Sequence, residues 1–328
     1  MAKVVRIHRQ GGPEVLEFEE VDIAPPGAGE VHIKVEAIGL NRSEAMYRAG
    51  RYPVPATLPC LMGYEACGTI LALGEGVSGY EVGDRVSVLP RYQLGTYGVW
   101  GEEAIVPASA LLPAPEGLTP AEAAAVWMQY LTAFAVIEVA DVGLGDAAVI
   151  RAASSSVGLA AIQLTNWAGA TSIACTRTSA KADALRDLGA AQVIATEEQD
   201  LVEEVMAITD GKGARTVFDP VGGPYVHTLA SALAERGILM IYGGLSEQET
   251  PYAHWPCAMK GATMRGWVAS EIWNHPERFE RAKRVILQGL SQGHLKPVIA
   301  KTFKLDEIAE ANVYLESNQQ IGKIVVTV

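Results

Sequence analysis

Ile150 to Gly158 reads I-R-A-A-S-S-S-V-G, a small-residue stretch between an apolar run at 147–150 and a helix-like run at 157–168. A strand, a tight turn and a helix in that order point free backbone N–H groups at a phosphate. Ser154, Ser155 and Ser156 stand where such turns usually carry glycine, and only Gly158 remains near the helix start. Serine still lets a pyrophosphate approach, and it adds a hydroxyl donor. Alone, the pattern fits an ordinary turn equally well. The next segment separates the two readings. In folds that take NAD, an acid about 20 residues past the turn binds the ribose hydroxyls. No acid lies between Gly158 and Asp183; Arg177 and Lys181 flank small hydroxyl residues instead. A cation there pairs with a 2′-phosphate that an acid would repel. The missing acid and the added cations agree, so the expected cofactor is NADPH rather than NADH. The competing reading makes Arg177 and Lys181 plain solvated charges at a helix start.

The elements around this turn must hold it on a rigid frame. From about residue 119, strand and helix patterns alternate: strands at 171–175, 192–195, 216–219 and 238–242, helices at 180–188, 201–208 and 225–234. That alternation predicts an α/β fold with a doubly wound parallel sheet. The first third is β-rich, with strands expected at 3–8, 16–21, 31–40, 66–73, 85–89 and 102–106, broken by Gly/Pro turns. The tail carries helices at 278–288 and 305–315 and a closing strand at 323–328. The simplest packing returns that tail to the β-rich domain. The expected division is 1–120 with 271–328 as one domain and 121–270 as the nucleotide-binding domain, with the cofactor in a cleft between them.

With 328 residues the chain suits two domains, and 20% charged residues is ordinary for a globular protein. The net charge of -12 disfavours nucleic acid or an anionic membrane as partner. Four scattered cysteines, Cys60, Cys67, Cys175 and Cys257, form neither a disulfide framework nor a zinc cluster and fit a reducing cytoplasm. The first residues lack a signal-peptide core, and no apolar run reaches membrane-spanning length. The six histidines show no ligand spacing.

Across the chain, several motifs recur in a shared order: P-P-G-A-G-E-V at 25–31, G-L-N-R-S-E at 39–44, G-Y-E at 63–65, V-G-D-R-V at 82–86, L-T-A at 131–133, D-P-V-G-G at 219–223 and I-G-K-I-V at 321–325. In these the chain resembles the zinc-independent medium-chain dehydrogenase/reductases, specifically the quinone oxidoreductase (zeta-crystallin-like) group. The resemblance implies a GroES-like β-rich catalytic domain beside a Rossmann domain. It places Asn41 beside the nicotinamide, Thr132 near its ribose, and Ser154, Ser155 and Val157 at the pyrophosphate. Arg177 and Lys181 would hold the 2′-phosphate. Tyr242, Gly243, Gly244 and Ser246 would line the cofactor groove, and Lys323 would approach from the tail. Where the family often has a Tyr near the adenosine phosphate, this chain has Ala195 and Thr196. The family's counterpart of 263–268 pairs across a two-fold axis, so a homodimer through that edge strand is expected.

Zinc-dependent relatives hold a metal through Cys, His and a further Cys or acid. Here Asn41 and Tyr64 occupy the first two positions, and Glu65 reads as a structural carboxylate at a strand start. No metal is expected. Reduction without a Lewis acid needs an electrophilic acceptor: a quinone, or a carbon–carbon double bond conjugated to a carbonyl. The protein then orients the reactants and donates hydrogen bonds to the developing oxyanion. Asn41, Tyr47, Tyr52 and Tyr64 are the candidate catalytic residues; the tyrosines also fit packing roles, and water is an alternative proton source. Trp127, Tyr130, Trp255, Trp267 and Trp273 fit either an aromatic pocket or core and interface. A non-catalytic, crystallin-like NADPH-binding protein and a zinc alcohol dehydrogenase remain as other readings.

Overall fold

The computed structural model describes residues 1–328. The chain divides into two units, residues 1–128 with 297–328, and residues 129–296. In the first lie β1 (Ala2–Ile7), β2 (Glu17–Val21), β3 (Glu30–Gly39), α1 (Arg42–Arg48), β4 (Cys60–Leu61), β5 (Ala66–Leu73), β6 (Arg85–Val88), β7 (Glu103–Pro107), β8 (Leu111–Pro113) and α2 (Pro120–Ala123). Helix α3 (Trp127–Ala133) carries the chain into the second unit. There follow α4 (Ala135–Glu138), β9 (Ala147–Ile150), α5 (Ser156–Trp167), β10 (Thr171–Thr176), α6 (Ala182–Asp187), β11 (Gln192–Ala195), α7 (Leu201–Ile208) and β12 (Ala214–Asp219). Then come α8 (Val226–Ser231), β13 (Leu233–Ile241), α9 (His254–Lys260), β14 (Thr263–Gly266), α10 (Ser270–Trp273) and α11 (Pro276–Ser291). The chain returns to the first unit with β15 (Ile299–Lys304), α12 (Ile308–Glu316) and β16 (Lys323–Thr327).

In the first unit β15, β16, β3, β5, β6 and β8 pair in that order, with β7 also on β3. Strand β3 shows why. Val31, Ile33 and Val35 point into the core while His32 and Lys34 alternate outward, the period of a half-buried strand. Strand β16 runs antiparallel to β3 and pairs Val325 with Gly39. That register carries residue 323, from the far end of the sequence, to the residues that follow β3.

In the second unit every strand pairing is parallel, in the order β11-β10-β9-β12-β13-β14. This is the 3-2-1-4-5-6 order of the doubly wound dinucleotide fold. Strand β9 is wholly apolar, A-A-V-I, and wholly buried, as a central parallel strand requires.

Three expectations need correction. The helix expected at 225–234 ends at Ser231, and β13 begins at Leu233. Leu233 pairs with Ala214 before a bulge in which Arg236 takes a left-handed φ of 57°. Sheet pairing there overrides the helical propensity of A-L-A-E-R. The edge strand expected to reach Val268 stops at Gly266. Residues 271–296 lie in the second unit, not with the tail. The cause is local: Arg278 and Arg281 of α11 pair with Glu138, and His294 stacks on Trp167 at 5.1 Å.

Candidate functional site

In the first unit, the segment after β3 turns into α1, and Asn41 is the N-cap residue. The Glu44 carboxylate reaches back to the Asn41 backbone N–H at 2.6 Å, half of a capping box. Its other oxygen accepts the Tyr64 N–H at 3.1 Å. One carboxylate therefore fixes two chain segments, those of Asn41 and Tyr64. Glu44 is fully buried, and burial pushes its pKa up to about 8 against the pull of these two amides.

Beside it lies a buried ion pair. The Lys323 ammonium donates to Glu65 Oε2 at 2.6 Å and to Asn41 Oδ1 at 2.7 Å; both charged side chains are 1% exposed. Glu65 Oε1 accepts the Met128 N–H at 2.8 Å. Asn41 Nδ2 donates to the Gly39 carbonyl at 3.0 Å and to Glu65 at 3.1 Å. A side-chain amide has two N–H bonds, so both donors of Asn41 are committed inside the protein. Asn41 thus works here as a fixed strut, not as a free donor to an oxyanion. Gly39 makes room for this network: a Cβ there would run into the Ala124 carbonyl oxygen and stand 2.9 Å from Lys323 Cε.

The three tyrosines separate. Tyr64 is buried and its hydroxyl hydrogen-bonds Ser43 Oγ. Burial, then the neighbouring Glu44, hold its phenol pKa well above 10. Ser43 is only half-buried, so it forms the accessible end of this hydroxyl pair. Tyr52 is half-buried, packed edge-on against Tyr47 at 6.4 Å, and burial raises its pKa. Tyr47 departs from the expected substrate-facing role. It is 2% exposed, the Cys60 thiol points at its hydroxyl at 4.0 Å, and a Cβ on Gly95 would collide with that oxygen. It is a core residue because α1 turns that face toward β4. Ser43 is not marked out in the sequence, because a hydroxyl two residues past Asn41 carries no signal until Tyr64 is placed against it.

In the second unit the residues expected at the phosphates gather at the C-terminal ends of β9 and β10. Ala152 takes φ 49°, bending the chain into the serine turn. Ser155 caps α5 and accepts the Gly158 N–H at 3.0 Å, and Val157 lies in the first turn. A Cβ on Gly158 would stand 2.6 Å from the Ala153 carbonyl oxygen, so this glycine is needed for the close turn. Ser154 Oγ accepts from Lys181 Nζ at 3.1 Å. Burial, and then the charge of Arg177, lower the Lys181 pKa. Arg177 is exposed and forms no ion pair. Thr132 is buried on α3, and its carbonyl accepts the Trp267 indole N–H at 2.9 Å.

At the end of β12, Asp219 accepts the Val221 and Gly222 N–H groups, each at 2.9 Å, and pairs with Arg151 at 3.3 Å. The Arg151 guanidinium also covers the Tyr225 ring at 4.8 Å. Tyr242 stacks on Phe218 at 4.0 Å, and its phenol oxygen is buried without a hydrogen-bond partner. Gly243 lies against Pro220, where a Cβ would approach the carbonyl oxygen to 2.5 Å, while Gly244 is open. The Ser246 N–H bonds the Val221 carbonyl at 2.9 Å, docking this loop on the D-P-V-G-G turn. Trp127, Tyr130 and Trp267 are core; Trp255 is exposed.

Family models match in two places: the alcohol dehydrogenase GroES-like domain over residues 27–116 and the zinc-binding dehydrogenase domain over residues 156–287. A quinone oxidoreductase of Pseudomonas aeruginosa is 31% identical over 328 residues, covering 99% of both chains. The chain belongs to the zinc-independent quinone oxidoreductase family of medium-chain dehydrogenase/reductases. Another member-like relative, 2-haloacrylate reductase of Burkholderia sp, is 30% identical, with 99% of this chain and 98% of that one covered. The crystal structure of Escherichia coli quinone oxidoreductase complexed with NADPH superposes with a TM-score of 0.91 at 28% identity, covering 100% of both chains.

The zinc in the name of the second domain model does not suit the residues present. No cluster of three or more His, Cys, Asp or Glu side chains is arranged to hold a metal ion. The acceptor oxygens of Asn41 and Glu65 are already turned to the Lys323 ammonium, and a second cation among them would be repelled.

Proposed function

We propose that this chain is an NADPH-dependent, metal-free reductase of quinones or of activated carbon–carbon double bonds conjugated to a carbonyl. The observation that carries the reading is the buried Lys323 ammonium held between Glu65 and Asn41, the residue at the first position where the family resemblance puts a metal ligand in zinc-dependent relatives. The P. aeruginosa and Burkholderia relatives, named for quinone and haloacrylate reduction, support the acceptor class. The E. coli complex with NADPH supports the cofactor, as do Arg177 and Lys181 beside the serine turn.

NADPH, when bound, supplies a hydride. The chain's residues have the remaining tasks. The α5 N-terminus, Ser154, Ser155 and Val157 suit the pyrophosphate, and Arg177 with Lys181 suits the 2′-phosphate. Tyr242, Gly243, Gly244 and Ser246 form the groove after β13, and Thr132 serves the ribose. In the first unit Lys323 and Glu65 hold Asn41 rigid. The Ser43–Tyr64 hydroxyl pair and Tyr52 are the donors for oxygen charge that builds on the acceptor. Tyr64 stays protonated at neutral pH, which suits a donor.

The assembly proposed is a homodimer through β14, an edge strand within the chain. Exposed Val268 and Met259 flank it in sequence and, with exposed Tyr252 and Trp255 around the start of α9, support a covered face. Four free buried thiols suit a reducing cytoplasm.

The reading is tested by following NADPH absorbance with a para-quinone, an ortho-quinone, an enone and an enal, beside an alcohol with oxidised cofactor. Turnover of quinone or enone that survives a chelator is expected. Chelator-sensitive alcohol oxidation as the main activity would overturn it.

A further inference from the structure

The acid missing after the serine turn returns from the next loop. Glu198 follows β11, and its Oε1 accepts the Ser179 backbone N–H at 2.9 Å and lies 3.4 Å from the Ser179 hydroxyl. Ser179 stands between Arg177 and Lys181, the cations assigned above to the 2′-phosphate. The two loops are stitched together: Thr196 N–H donates to the Thr176 carbonyl and Glu197 N–H to the Arg177 carbonyl, each at 2.9 Å. Glu198 is therefore held over the segment that carries both cations. Yet it forms no ion pair with Arg177.

We propose that Glu198 sets the cofactor preference of this site, competing with a 2′-phosphate for the Ser179 donors and so weakening discrimination against NADH. The inference rests on the NADPH reading. A ribose 2′-hydroxyl can donate to a carboxylate, whereas a phosphate has only acceptors to offer there and meets like charge. Binding of the phosphate thus requires Glu198 to leave Ser179 and turn to solvent. Its exposure makes that turn inexpensive, so the penalty is moderate, not prohibitive. Arg177, left unpaired by Glu198, still attracts the phosphate. The site carries opposing determinants: Thr196 already donates its hydroxyl to the Thr176 carbonyl at 3.1 Å, and Ala195 has no donor, so neither adds to the phosphate side.

Glu198→Gln removes the charge and keeps the shape. Calorimetric titration with adenosine 2′,5′-bisphosphate and with 5′-AMP isolates the 2′-phosphate. Relative to wild type, E198Q is expected to bind the bisphosphate about three- to tenfold more tightly at low salt, with 5′-AMP unchanged. The gain should shrink as salt screens the carboxylate. The ratio of kcat/KM for NADPH over NADH should rise by a similar factor. An unchanged bisphosphate affinity overturns the inference. So does an equal change for both ligands, which would mark Glu198 as a loop support. Failure of the NADPH reading looks different: wild type would not prefer the bisphosphate to 5′-AMP, and R177A would alter neither. The inference would then fall with it.

Discussion

Two clusters, the Lys323 network of the first unit and the Arg177–Lys181 pair of the second, treat charge in opposite ways. In the first, Lys323 and Glu65 are stripped of water, and both are tied to named partners. In the second, Arg177 stands exposed and unpaired, and Lys181 leans on a serine hydroxyl. A buried charge must be compensated by the fold itself, because desolvation costs several kcal/mol per ion. An exposed charge can be left for a ligand, because water compensates it until the ligand arrives. The first arrangement makes a rigid support whose geometry precedes binding. On the reading proposed above, the second makes a receptor whose contacts an anion completes.

The contrast breaks most visibly at Lys323. Lys323→Met leaves the Glu65 carboxylate buried without its cation, and a loss of about 3–5 kcal/mol in the stability of the first unit is expected. Urea unfolding followed by tryptophan fluorescence reads it. Adding Glu65→Gln to the same chain should recover a substantial part; if the double variant is as unstable as the sum of the singles, the pair is not the source.

A smaller effect comes from Glu44. Its native pKa of about 8 lies above the ordinary 4.5. Below the lower value the group is protonated in both states, and its contribution is fully present. As pH rises from about 4.5 to about 8 the unfolded chain ionises first, and stability is lost progressively, on the order of a few kcal/mol. Unfolding free energies across that window should fall more steeply in wild type than in Glu44→Gln. Parallel curves would show that the carboxyl is not held neutral.

The exposed region should respond least in stability and most selectively in binding. Arg177→Ala is expected to leave the unfolding transition within about 0.5 kcal/mol of wild type, as for an unpaired surface side chain. It should raise the KM for NADPH about tenfold and barely alter that for NADH. Equal loss with both cofactors would remove Arg177 from the 2′-phosphate site.

How legible each region was follows from the same difference. The parallel sheet was readable because β9, β10, β11 and β12 each carry a short apolar stretch and are separated by helical periods. The unit that holds helix α11 is not legible along the chain, since its attachment depends on Arg278 and Arg281 finding Glu138, far away in sequence. Tyr47 and Tyr64 look alike as letters. Only packing decides that Tyr47 faces Cys60 in the core while Tyr64 meets Ser43. The absence of an acid after Gly158 is legible along the chain, yet Glu198 reaches Ser179 from the next loop.

By itself the sequence determined the local features: the order of strands and helices, the serine turn with its capped helix, the cations at 177 and 181, and the replacement of metal-ligand types by Asn41 and Tyr64. These depend on residues close together in the chain. Tertiary structure alone decided that Lys323 closes on Glu65 and Asn41, that Glu44 ties two segments together, and that Glu198 overlooks Ser179. Each of those contacts joins residues whose proximity is created by sheet pairing or by adjacent loops. No local propensity encodes it; for Lys323 and Glu44 the energy that holds the contact appears only once burial has removed the competing water.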